Sequence, residues 1–222
     1  MTQLQERLAD ASLTVIEKES LEFLQDAASS KMKLFHMELE NMFLNPRTAG
    51  KVPIIGDRAV RYQEDYRVDV TEDDIQPIAD SIVSFSYGSS DSEKNRFQSL
   101  TAQSLKNVLS DTSAGKQETR ASYVVLEYNT LVRMDARFWK FNFSQEGVLG
   151  NHKNAFCYLV AKSVIDPKKM TLNDLIDLVS DEVSDFSLED FTAEAQAVWE
   201  QAQTLNEDTI YLEYLKSCTR PD

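Results

Sequence analysis

Residues 121–165 read ASYVVLEYNTLVRMDARFWKFNFSQEGVLGNHKNAFCYLVAKSVI, and they decide the fold. Three runs within them, 121–134, 136–143 and 154–165, are dense in Val, Tyr, Phe, Trp and Ile, and polar or glycine-containing breaks such as SQEGVLGNHKN separate them. β-branched and aromatic residues bounded by turn residues predict strands, so the stretch reads as an antiparallel meander over about 119–166. In the last run, alternation places Ala155, Cys157, Leu159, Ala161 and Ser163 on one face and Phe156, Tyr158, Val160, Lys162 and Val164 on the other. One face is small and the other bulky.

Helical signals surround the meander. Leu4, Leu8, Ile16, Leu24, Leu34, Met37, Met42 and Phe43 recur at roughly helical spacing, which predicts a helical N-terminal arm over 3–44 that ends before Asn45-Pro46. Thr71 and Asp74 form a capping box ahead of Ile75, Ile78, Ala79, Ile82 and Phe85, and Phe97, Leu100, Leu105 and Val108 repeat the spacing after a turn, giving a helical hairpin over 72–110. Thr171 with Asp174 and Ser187 with Asp190 are two further capping boxes, and the last helix is expected to run through Val198, Trp199 and Leu205 on to Leu215, within C-terminal helices over 171–217. The charged stretch 46–70 reads as an edge hairpin or a long loop. The expected fold is α/β of the α+β type, one domain over 1–222, with the sheet packed between helical hairpins in a layered sandwich.

Composition limits function. The chain has 222 residues, 42% of them hydrophobic, and a formal charge of -14. That charge disfavours nucleic acid and anionic membranes, both of which need clustered Lys and Arg, so membrane contact would have to be apolar. Neither a secretory signal nor an apolar run of transmembrane length is visible, which predicts cytoplasmic synthesis, with release or membrane association left open. Basic residues nonetheless concentrate in 133–169, seven against three acidic, while 170–222 carries thirteen acidic against two basic. Complementary solvated faces explain this simply, and an anion or carboxylate site is the sharper reading.

Familiar catalytic patterns are missing. No GxxxxGK, GxGxxG or GxSxG occurs, and His36 and His152 stand alone in sequence, so neither a nucleotide nor a metal is expected. The thiols remain. Cys218 sits near the end of the last helix and reads as incidental, whereas Cys157 has three readings. It is a small core hydrophobe, a nucleophile with His152 as base, or a point of fatty acylation with Ala155, Leu159 and Ala161 lining a cavity for the chain. A buried methylene contributes about 0.8 kcal/mol, so a long acyl chain held inside would contribute on the order of 10 kcal/mol before entropy.

The run 128–166, YNTLVRMDARFWKFNFSQEGVLGNHKNAFCYLVAKSVID, resembles the core of the Evf family, the Erwinia virulence factor type of bacterial protein. The likeness lies in an Arg- and Trp-bearing strand, a Gly-containing loop and a strand with one cysteine. It implies an α/β sandwich whose strand cysteine, Cys157 here, carries a thioester-linked fatty acid such as palmitate, and a role in virulence or persistence in an insect host. A weaker likeness in outline to cytolytic δ-endotoxins implies a membrane-perturbing, pore-forming alternative. A cysteine-dependent acyl-transfer enzyme using Cys157 and His152 is the third possibility.

Overall fold

The computed structural model describes residues 14–45, 52–86, 89–128, 130–143, 153–171, 173–174, 176 and 188–218. His152 and the expected box at Ser187 lie outside them. The meander is present as β2 (Gly115–Glu127), β3 (Thr130–Asn142) and β4 (Asn154–Val164). Its first turn is displaced from the expected place: β3 is continuous through Asp135, and the chain reverses after Glu127, where Tyr128 adopts φ 47°. Glu127 then pairs with Thr130, a two-residue connection of the kind that needs positive φ.

The stretch 46–70 supplies an edge strand in place of the expected hairpin or loop. β1 (Arg61–Val68) pairs antiparallel with β4, from Arg61 opposite Lys162 to Val68 opposite Ala155, and gives the order β1-β4-β3-β2. RYQEDYRV has little apolar pattern because an edge strand is held by its backbone ladder, and its charges discourage further pairing.

Alternation along β4 sorts the core as the sequence predicts. The bulky face, with Phe138, Phe156, Tyr158 and Val160, packs against α2 (Ile75–Val83) and α3 (Asp91–Leu109), whose Ile78, Ile82, Phe97, Leu105 and Val108 are buried. Both helices start on caps: the Thr71–Asp74 box is complete, and the Ser90 hydroxyl accepts from the Glu93 backbone N–H. The Thr171–Asp174 box is likewise formed.

The small face is covered by α1 (Val15–Leu44) and, towards the other end, by α4 (Leu188–Thr204), near Val124, Leu131 and Ile165. α1 buries Leu21, Leu24, Ala28, Met32, Phe35, Leu39 and Phe43. Leu34 and Met37, expected inside, are 44% and 58% exposed. The last helix is broken at Leu205–Asn206, where the Asn206 side chain accepts from the Thr209 N–H at 2.7 Å and starts α5 (Glu207–Cys218).

Candidate functional site

Cys157 is fully buried on the small face. The ladder sets it between Tyr66 of β1 and Trp139 of β3, and α1 lies over it together with Ala155, Leu159 and Ala161. The row read as cavity lining is therefore in contact with the α1 stripe. Burial pushes the thiol pKa up to about 12, with Glu118 and Glu64 adding to the rise and Lys31 opposing it. At neutral pH the sulfur is a thiol, not the thiolate a nucleophile needs.

α1 is tethered along its flanks by two ion pairs, Lys31 Nζ to Glu118 Oε2 at 2.8 Å and Arg120 Nη2 to Glu38 Oε1 at 3.0 Å, and by a hydrogen bond between His36 Nε2 and Glu64 Oε2 at 3.0 Å. Burial favours a protonated Glu118, but the Lys116 and Lys31 ammonium groups outweigh it and hold the carboxyl at about 2. The outward side of the same helix exposes Val15, Phe23, Leu34, Met37 and Leu44. α1 is thus apolar towards the sheet, while its outer side sets these apolar residues among exposed Lys18, Glu19, Glu22, Asp26, Lys33 and Glu40.

The same sheet face holds a row of charges. Arg133, Asp135 and Arg137 project from β3, and Arg120 of β2 stands directly opposite Arg137. Arg133 donates to Asp135 Oδ1 at 2.9 Å and to the Val52 carbonyl at 2.9 Å. Arg137, 7% exposed, has no carboxylate of its own: Nη1 donates to the Ala136 carbonyl at 2.9 Å, Nη2 lies 3.9 Å from Met42 Sδ, and Nε bonds nothing. Burial lowers its pKa, while Asp135 and Glu38 oppose the fall. Glu38 Oε2 and, on the same face, the Ser163 hydroxyl are likewise buried without a partner among the described residues, so Arg137 Nε and Glu38 Oε2 leave a donor and an acceptor that a water or a small polar group would complete.

On the opposite face Lys162 and Glu127, both fully buried, form an ion pair at 2.8 Å, and the Tyr214 hydroxyl donates to Glu127 Oε2 at 2.7 Å. Four of the seven basic residues of 133–169 are consequently not a solvated face, since Arg133, Arg137, Lys140 and Lys162 are all inside the sheet's packing; Lys153, Lys168 and Lys169 are exposed, and Lys169 reaches Glu207 of α5 at 3.7 Å.

A cavity of about 530 Å³ opens where β3 and β4 end beside the turn that leads into α2. Lys140, Asn142, Lys153 and Asn154 bound it on the strand side, Glu72 and Asp73 on the other. Cys157 does not border it. Sequence reading missed these groups, since buried polar residues at strand ends carry no periodic signal. Among the described residues no group of three or more His, Cys, Asp or Glu is placed to hold a metal ion, and no helix is long and apolar enough to cross a membrane.

No family model, no curated protein and no solved structure matches the chain.

Proposed function

We propose that the chain is a non-enzymatic lipid-associated protein in which α1 is a removable cover over a fatty-acyl site on Cys157. The observation that carries this reading is the apolar stripe of α1 lying over a row of small residues that holds a single thiol, with large apolar side chains also exposed among the charges of its outer side. Burial of seven apolar side chains contributes on the order of 10 kcal/mol, so α1 stays down in water. An apolar surface changes the balance, because it receives the stripe and the outer apolar side chains together, and an acyl chain on Cys157 then refills the exposed row for a similar gain. Charge agrees with this. A chain of net charge -14 approaches neutral lipid more readily than anionic lipid.

A pKa of about 12 weighs against any attack by the covered sulfur, so loading from an acyl donor belongs to the state with α1 lifted, and the acyl-transfer alternative would need that state again at every turnover. A role in virulence or host persistence rests on the Evf-type resemblance alone.

Intact mass spectrometry of the purified chain tests the proposal. A mass increment of one fatty acyl chain, removed by hydroxylamine and absent from Cys157→Ala, is the expected result, together with flotation on phosphatidylcholine vesicles. An unmodified mass with no flotation overturns it. Leakage of vesicle contents without an adduct would instead favour the pore-forming reading of the same α1 movement.

A further inference from the structure

The cavity at the ends of β3 and β4 has opposite charges on its two walls. Lys140 and Lys153 stand on the strand side, Glu72 and Asp73 on the turn that begins α2. Lys140 is 2% exposed, and its ammonium donates to the carbonyls of Leu109 at 2.9 Å and Asp111 at 3.1 Å, which leaves the third N–H of the ammonium over. Burial lowers its pKa, whereas Asp111 and Glu72 both favour the charged form, so the field of Glu72 reaches Lys140 across the cleft.

Asn142 supplies the independent pointer to a ligand. It is 6% exposed, and its amide nitrogen donates twice, to the carbonyls of Asp111 and Ser113, each at 2.9 Å. Two carbonyl acceptors settle which end of the carboxamide is nitrogen. The carbonyl oxygen Oδ1 is not engaged by either of these bonds, and it is not among the side-chain atoms buried without a partner, so on a residue that lines the cavity it remains open to solvent. Directly opposite on β4, Asn154 spends both ends of its amide on the Val70 backbone and offers nothing more. An acceptor open to the cleft, beside a lysine and facing carboxylates, is placed to take an N–H donor from outside the chain in exchange for water.

We propose that this cleft binds a small zwitterion with a primary ammonium and an anionic group, carboxylate or phosphate. Lys140 and Lys153 take the anionic end. Asn142 Oδ1 accepts an ammonium N–H, and Glu72 and Asp73 neutralise its charge. A quaternary ammonium has no N–H and leaves Oδ1 unpartnered, so the site discriminates between amines by a hydrogen bond as well as by charge. At about 530 Å³ the cavity lies within the range of small-molecule sites. The inference does not depend on Cys157.

Calorimetric titration of the full chain tests it, with phosphoethanolamine and L-serine as the phosphate and carboxylate probes. Saturable one-to-one binding of either is expected, with phosphocholine, inorganic phosphate and ethanolamine at least about tenfold weaker, a difference of about 1.4 kcal/mol. Glu72→Gln and Lys153→Gln, both at exposed positions, should each weaken binding about tenfold while thermal unfolding stays unchanged. Phosphatidylethanolamine vesicles that compete with phosphoethanolamine would identify a lipid headgroup as the source, and vesicles that do not compete would identify a free metabolite. Failure of both probes to bind, phosphocholine binding as tightly as phosphoethanolamine, or affinity untouched by both substitutions overturns the proposal.

Discussion

Two capped helices meet the side of β4 that carries Phe156, Tyr158 and Val160, and the buried charges there are all met: Lys162 has Glu127, Glu127 has Tyr214 as well, and Lys140 donates to the carbonyls of Leu109 and Asp111. The side that carries Ala155, Cys157 and Leu159 meets α1, which also exposes Phe23, Leu34 and Met37 among charged residues on its outer side, and the charge buried there includes Arg137 without a carboxylate. The first face is closed by interactions that lose their partners if anything moves. The second is closed by a helix whose hydrophobic surface is served as well by lipid as by the sheet, which is how one sheet can carry both a rigid and a releasable wall.

The largest effects should separate the two charges. Glu127→Ala leaves Lys162 buried and unpaired and is expected to cost about 3–5 kcal/mol in urea denaturation. Arg137→Met removes a cation that has no carboxylate partner and is expected to be neutral or stabilising by about 1 kcal/mol. Equal losses for both would break the comparison.

Core truncations sharpen it. Phe97→Ala on α3 and Phe35→Ala on α1 each remove a fully buried ring, and each should cost about 3–5 kcal/mol if the whole fold feels it. The expected difference is local. Phe97→Ala should accelerate hydrogen exchange across the sheet, whereas Phe35→Ala should accelerate it in α1 first and bring Cys157 into reach of a thiol reagent in a Cys218→Ser background. Uniform acceleration in both would show α1 to be as firmly fixed as α3.

The smallest effect concerns the tethers. Glu118 has its folded carboxyl held at about 2, below its ordinary 4.5, so the stabilisation it gives is complete above about 4.5 and is lost as pH falls from there through about 2. Partial exposure keeps this within about 1 kcal/mol. Acidification should therefore loosen α1 ahead of α3 in hydrogen exchange, and Glu118→Gln should flatten that pH dependence.

Much of the architecture was legible. Period-two alternation in 154–165 separated Cys157 from Tyr158 because successive strand residues point to opposite sides, and the 3.6-residue spacing of Ile75, Ile78 and Ile82 named their buried face. α1 was legible as a helix but not in orientation. Apolar residues lie around much of its circumference, so spacing could not choose Phe35 and Leu39 over Leu34 and Met37. β1 escaped because backbone pairing with β4, and not its side chains, holds it. The turn at Tyr128 was missed although Asn129 beside it is a turn-favouring residue, because the β-branched and apolar residues on both sides read as one continuous strand.

By itself the sequence determined which residues alternate, which helices are capped, and that Cys157 belongs to a small-residue row, since all of these follow from the local geometry of a chain. Only the tertiary structure decided that α1 covers that row, that Arg133, Arg137, Lys140 and Lys162 are buried, and that Lys140, Asn142 and Glu72 meet at one cleft. These depend on strand register and on helices brought together from distant parts of the chain, and long-range packing has no period to read.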